Sequence, residues 1–127
     1  HVIPALIRKV FEAKRNNKKS IEVWGTGKAT REFLYVEDAA EGIILAVERC
    51  DKSDPINLGS GMEISIKNLV KLICQLADYN GKIIWDKTKP DGQPRRMLDV
   101  SRASREFGFR AKTDFREGLK KTIDWYA

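Results

Sequence analysis

Long apolar runs, cysteine pairs, histidine and internal repeats are what this sequence has least of. The longest unbroken apolar run, Ile43 to Val47, is far too short to span a bilayer, which excludes a membrane-crossing helix and a membrane partner of that kind. Only two cysteines, Cys50 and Cys74, occur in 127 residues, so the fold is not built on disulfides. Neither has a C-x-x-C partner or a histidine at zinc spacing. They read as reduced, partly buried thiols, the usage of a cytoplasmic protein. The single histidine, His1, cannot complete a metal pair or a conventional catalytic triad within the chain, so no metal site is expected. No charged-then-apolar signal pattern opens the sequence. It starts without methionine, already inside an amphipathic helix pattern, and the expectation is a portion of a longer protein.

Hydrophobic residues make up 42% of the chain and charged residues 33%, a globular rather than a disordered balance. Residues 1–127 are long enough for one domain with a real core and too short for two large lobes. The net charge of +6 suits an anionic partner: nucleic acid, an acidic membrane surface or a phosphorylated small molecule. The pairs Arg8-Lys9, Lys14-Arg15, Lys18-Lys19 and Lys120-Lys121 fall mostly on the polar faces of predicted helices, where solvation explains them. Arg95-Arg96 lies in a Pro/Gly loop and needs another account.

Apolar periodicity predicts a first helix on Val2, Ile3, Leu6, Ile7, Val10 and Phe11, with Pro4 in its first turn. Ser20 to Trp24 reads as a strand, Gly25-Thr26-Gly27 as a turn, and Arg31 to Tyr35 as a second strand-like stretch. A second helix carries Val36, Ala39, Ala40, Ile43, Ile44 and Val47 on one stripe, with Glu37 and Asp38 at its positive dipole end. Ile56-Asn57-Leu58 is expected as a short buried strand. Ser65 is a plausible N-cap for a third helix bearing Ile66, Leu69, Val70, Ile73, Leu76 and Ala77. Lys82 to Asp86 is the next strand, and residues 87–98, with Pro90, Gly92 and Pro94, form the longest irregular loop. A short helix over Ser101 to Phe107 ends at Gly108, and a last helix starts at Asp114 with Glu117 spaced as in a capping box. Four or five helices with three or four short strands predict a mixed α+β lobe rather than a self-sufficient doubly wound sheet.

Gly25-Thr26-Gly27-Lys28 lacks phosphate-loop spacing, and Gly59-Ser60-Gly61 lacks the third glycine of a dinucleotide fingerprint, so neither is read as a cofactor site. Two other clusters carry chemistry. Trp24 through Arg31 places an aromatic, a flexible turn and an arginine together; these suit a stacked base and a forked phosphate contact, or else a plain hairpin with a core tryptophan. Lys89-Pro-Asp-Gly-Gln-Pro-Arg95-Arg96 is either an anion clamp fixed by two prolines or a solvated loop.

The strings His1-Val-Ile-Pro-Ala-Leu, Val23-Trp-Gly-Thr-Gly, Arg31-Glu-Phe-Leu-Tyr-Val-Glu-Asp, Asn57-Leu-Gly-Ser-Gly and Lys89-Pro-Asp-Gly-Gln-Pro-Arg occur in the order in which the GDP-L-fucose synthase family carries them. The chain resembles the C-terminal substrate-binding portion of that family. The group belongs to the extended short-chain dehydrogenases/reductases, or NAD-dependent epimerases/dehydratases, which have a Rossmann-type N-terminal half. The resemblance implies an oxidoreductase and isomerase of nucleotide-sugar metabolism. Its parent would be a cytoplasmic homodimer that epimerises GDP-4-keto-6-deoxymannose at C3 and C5 and reduces C4 with NADP(H). The cofactor would be bound by the N-terminal half, which is missing here, so this chain alone should be inactive and bind no cofactor.

Carried over by position, the resemblance implies His1 as the general acid of epimerisation and Lys9, Trp24, Arg31 and Lys89 as GDP-sugar contacts; Arg95 and Arg96, by the charge of their loop alone, are further candidate anion contacts. A histidine titrating near neutrality suits proton delivery beside a ketone, and an arginine fork suits a diphosphate. The chain departs from the family's usual pattern at Ala29-Thr30, at Tyr35 and at Lys9, and it contains no Tyr-x-x-x-Lys. The alternatives are a fragment of a related nucleotide-sugar 4-epimerase or dehydratase, or a basic nucleic-acid-binding module using Trp24, Tyr35 and Trp85. Nucleic acid is the less favoured partner.

Overall fold

The computed structural model describes residues 1–127. Five helices and five short strands follow in the order α1 (Val2–Arg15), β1 (Ser20–Trp24), β2 (Thr30–Arg31), α2 (Val36–Arg49), β3 (Ile64–Ser65), α3 (Ile66–Leu76), β4 (Lys82–Asp86), β5 (Arg95–Arg96), α4 (Ser101–Phe107) and α5 (Phe115–Tyr126). Three of the expected termini are built from the expected residues. Ser65 caps α3 by accepting from the Asn68 amide at 3.1 Å, and Asp114 caps α5 by accepting from the Glu117 amide at 3.2 Å. Gly108 closes α4 in the left-handed region at φ 70°, where a Cβ is unfavourable.

The main core joins Leu6, Ile7 and Val10 of α1, Ile21 and Val23 of β1, Leu69, Val70 and Ile73 of α3, and Leu119 and Ile123 of α5. Its aliphatic side chains are essentially withdrawn from water, each worth about 1.5–3 kcal/mol of apolar transfer. A smaller core sits under α4, where Ala103, Phe107 and Phe109 meet Leu34, Leu45, Ala46, Ile56 and Leu58.

The strand pairing differs from a chain of local hairpins. β1 pairs with β4 in parallel, Ser20 opposite Lys82 through Trp24 opposite Asp86. β2 lies between β3, antiparallel to it, and β5, parallel to it. The hairpin reading of residues 24–35 is therefore corrected. After Trp24 the chain is sewn to other elements: the Gly25 amide donates to Asp86 O, and the amides of Ile66 and Lys67 donate to Ala29 O and Gly27 O. Gly25 and Gly27 allow this path with φ of 91° and 78°.

Three further corrections concern residues 31–58 and the long loop. The strand expected over Arg31 to Tyr35 ends at Arg31, because β3 and β5 are each only two residues long and supply no further partner. Ile56-Asn57-Leu58 forms no strand, since its backbone has no ladder partner. Residues 87–98 are not wholly irregular, as Arg95–Arg96 joins β2. The apolar stripe of α2 is mostly uncovered: Val36, Ile43, Ile44 and Val47 remain 57–81% exposed, while the helix buries only Asp38 and Gly42 fully.

Candidate functional site

The two sequence clusters that carry chemistry are the two sides of one structure. Residues 87–98 are strapped across residues 24–31 at successive points. Asp86 accepts from the Thr88 amide and hydroxyl, a local turn that leads to Lys89, whose ammonium stands 5.3 Å from the Trp24 ring centre. Asp91 accepts from the Thr26 amide at 2.7 Å and from its hydroxyl at 2.6 Å. Gln93 O accepts from Arg31 Nη1 at 2.7 Å, and Pro94 O from the Thr30 amide at 2.9 Å. β5 then pairs with β2. Residues 87–98 stay exposed throughout, so the loop is solvated and at the same time fastened.

Trp24 is 62% exposed, which corrects the core-tryptophan alternative: at the last position of β1 its ring points outward beside Lys89. Arg31 spends Nη1 on the carbonyls of Thr30 and Gln93 and leaves Nε and Nη2 without a protein partner. Its neighbour Glu32 accepts from the Gly61 amide at 2.7 Å and the Leu98 amide at 3.0 Å, so one carboxylate joins two loops to β2. A cleft of about 660 Å³ opens beside these groups, lined by His1, Arg31, Glu32, Phe33, Arg96 and Leu98 among others. His1 occupies the N-cap position of α1 and makes no side-chain capping bond, so its imidazole is not consumed by the helix end.

The remaining candidates divide. Arg96 lines the cleft and engages only Gln93, through Nε. Arg95 is committed elsewhere: it holds Glu63 with both Nε and Nη2, and Thr30 donates to the same carboxylate. The Arg95 fork, and after it the Thr30 hydroxyl, hold the Glu63 carboxyl below its ordinary value. Lys9 stands outside the cleft and donates to Glu22 O in β1, two residues before Trp24. Cys50 and Cys74 are free thiols, and burial pushes the Cys74 thiol up, away from reactivity. No group of three His, Cys, Asp or Glu side chains is placed to hold a metal ion.

Asp91 and Glu32 are the site residues that sequence reasoning did not single out. Asp91 reads locally as a turn former between Pro90 and Gly92, and only the long-range contact to Thr26 reveals its task. Together these two carboxylates test whether the chain's glycine turns fit a dinucleotide. A Cβ on Gly25 would lie 2.2 Å from Asp91 Oδ1, and one on Gly59 would lie 2.9 Å from Glu32 Oε2. In each turn one amide that a pyrophosphate would need, that of Thr26 or of Gly61, already donates to a carboxylate whose charge would repel it, so neither turn fits NADP(H).

Residues 1–59 match the sequence model of the NAD dependent epimerase/dehydratase family. The chain is 43% identical over 126 residues to a probable GDP-L-fucose synthase 1 of Oryza sativa subsp. japonica, covering 99% of this chain and 38% of the relative. It is 42% identical to GDP-L-fucose synthase 1 of Arabidopsis thaliana over 99% of this chain and 39% of that protein. Over these residues the chain is similar to the epimerase/dehydratase family. A crystal structure of a GDP-L-fucose synthetase from Naegleria fowleri bound to NADP superposes with a TM-score of 0.91 at 29% identity, covering 99% of this chain and 40% of that one. The five helices and short strands thus match the C-terminal portion of the extended short-chain dehydrogenase/reductase fold, as the resemblance implied. The chain spans about two fifths of the length of the curated relatives it matches.

Proposed function

We propose that residues 1–127 are the nucleotide-sugar-binding portion of a longer enzyme of the GDP-L-fucose synthase type, an NADP-dependent GDP-4-keto-6-deoxymannose 3,5-epimerase/4-reductase. The observation that carries this reading is the strapping of residues 87–98 onto residues 24–31, which sets Lys89 over the exposed Trp24 ring and ties down Arg31 at the edge of an open cleft, an arrangement suited to an anion. In this reading Trp24 and Lys89 pack against the nucleotide, and the free edge of Arg31 grips the diphosphate, with Arg96 beside it. Lys9 contributes positive charge from the flank, and Arg95 acts by holding Glu63. His1 delivers the proton in epimerisation, as its placement at the cleft and its unspent imidazole permit. When bound, NADP(H) supplies the hydride for C4 reduction, and residues outside this chain hold it, in a homodimeric cytoplasmic protein.

The test is a calorimetric titration of the chain with GDP, UDP and a short oligonucleotide at two salt concentrations. Saturable binding of GDP in preference to UDP is expected. Arg31→Ala should weaken it about tenfold or more, the loss of a charge-assisted contact worth roughly 1.5–3 kcal/mol. Equal and steeply salt-dependent binding of all three ligands would replace this reading with non-specific attraction to polyanions.

A further inference from the structure

The β2–β5 ladder has two rungs, and they treat their cations differently. Arg95 stands opposite Thr30, and both side chains bond to the Glu63 carboxylate, which neutralises that rung. Arg96 stands opposite Arg31, so two guanidinium side chains leave facing positions of strands spaced at about 4.8 Å. Like charges at facing positions repel. Neither arginine has a carboxylate within ion-pair distance. The acidic residues next to them in the loops are engaged already: Glu32 accepts from the Gly61 and Leu98 amides, and Asp91 from Thr26.

Both arginines line the cleft, and one residue orients both. Gln93 accepts from Arg31 Nη1 through its backbone carbonyl at 2.7 Å and from Arg96 Nε through its side-chain Oε1 at 2.8 Å. These bonds leave Nε and Nη2 of Arg31, and both terminal nitrogens of Arg96, without a protein partner. Each guanidinium thus keeps one two-donor fork, the geometry that matches one phosphate group. A guanidinium held in place beforehand loses less side-chain freedom when an anion arrives.

We infer that Gln93 is a positioning residue that sets Arg31 and Arg96 as one clamp for a diphosphate, with one phosphate group on each fork. Bound negative charge relieves the repulsion on the bare rung, as Glu63 does permanently on its neighbour. Arg31 is held by a backbone carbonyl, which no substitution at position 93 removes, whereas Arg96 depends on the Gln93 side chain. The inference rests on the reading of this cleft as a nucleotide-sugar site, but it needs only the diphosphate and neither the base nor the sugar.

The experiment is a calorimetric double-mutant cycle with inorganic pyrophosphate as the probe. Arg96→Ala should weaken binding by the chain about tenfold. Gln93→Leu, which keeps the backbone carbonyl and removes Oε1, should weaken it about threefold to tenfold in the unsubstituted chain and less than about twofold in the Arg96→Ala background. Equal losses in the two backgrounds would mean that Gln93 only shapes the loop, and would overturn the inference. So would no loss in either. Gln93→Glu covers the case in which the leucine variant fails to fold. Its carboxylate keeps an acceptor for Arg96 but competes with the anion, so pyrophosphate binding should fall at least as far while the melting midpoint does not. Undiminished binding, or a loss accompanied by a lower midpoint, would overturn the inference. Pyrophosphate carries no base, so equal binding of GDP and UDP would remove the guanine preference and leave the clamp standing. Binding of GDP by a chain that takes up no pyrophosphate would do the opposite.

Discussion

At the scale of single residues, two carboxylates, Asp91 and Glu32, hold together the loops around the candidate site. Asp91 fastens the 87–98 loop to the Gly25–Gly27 turn through both the amide and the hydroxyl of Thr26. The Thr26 hydroxyl first, and its amide second, hold the Asp91 carboxyl below the ordinary aspartate value. A depressed folded value means that the stabilisation is complete above the unfolded value, near 4, and is lost as pH falls through the lowered one. The strap should therefore stay closed down to mildly acidic pH and loosen only in stronger acid. Tryptophan fluorescence, sensitive to Trp24 beside Lys89, should report that transition. In Asp91→Ala the high-pH signal should already resemble the acid form. A pH-independent signal shared by both proteins would show that Asp91 does not hold the loop.

At the scale of elements, helix ends are set by neighbours in sequence, whereas strands are set by partners far away. Ser65, Asp114 and Gly108 were legible because a cap acts within three or four residues. Ser65→Ala should cost about 1 kcal/mol through the lost bond to the Asn68 amide. Chemical denaturation should show this as a lower midpoint with an unchanged slope, and an unchanged midpoint would mean that the tertiary core alone fixes the start of α3. The strands behave differently. β1 and β4 are 57 residues apart and pair in parallel, an arrangement that no local turn signal announces. Residues 31–35 and 56–58 carry strand-like patterns, yet a strand exists only where another backbone offers its donors and acceptors.

At the scale of the whole molecule, the chain holds one closed core and one exposed apolar face. The α1–α3–α5 core is closed around Val10, Leu69, Val70 and Ile73, so the domain has its own reason to fold. The surface of α2 has none within this chain. The glycine turns bear on activity, because a carboxylate is bound at each of them where a dinucleotide phosphate would sit. The chain by itself should therefore consume no NADPH when given GDP-4-keto-6-deoxymannose, even where it binds GDP. Steady-state turnover by the purified chain would contradict this.

The sequence by itself determined the helical segments, the caps at Ser65, Gly108 and Asp114, the turn glycines and the two clusters of aromatic and basic residues, because helix period, capping and turn chemistry act over short stretches of chain. Only the tertiary structure decided that the two clusters are strapped together, that Trp24 is exposed rather than buried, that Arg95 is spent on Glu63 while Arg96 reaches the cleft, and that the apolar stripe of α2 is left open. Each of these depends on which distant backbone or side chain satisfies a given hydrogen bond or covers a given apolar face, and that choice is made when the whole core closes.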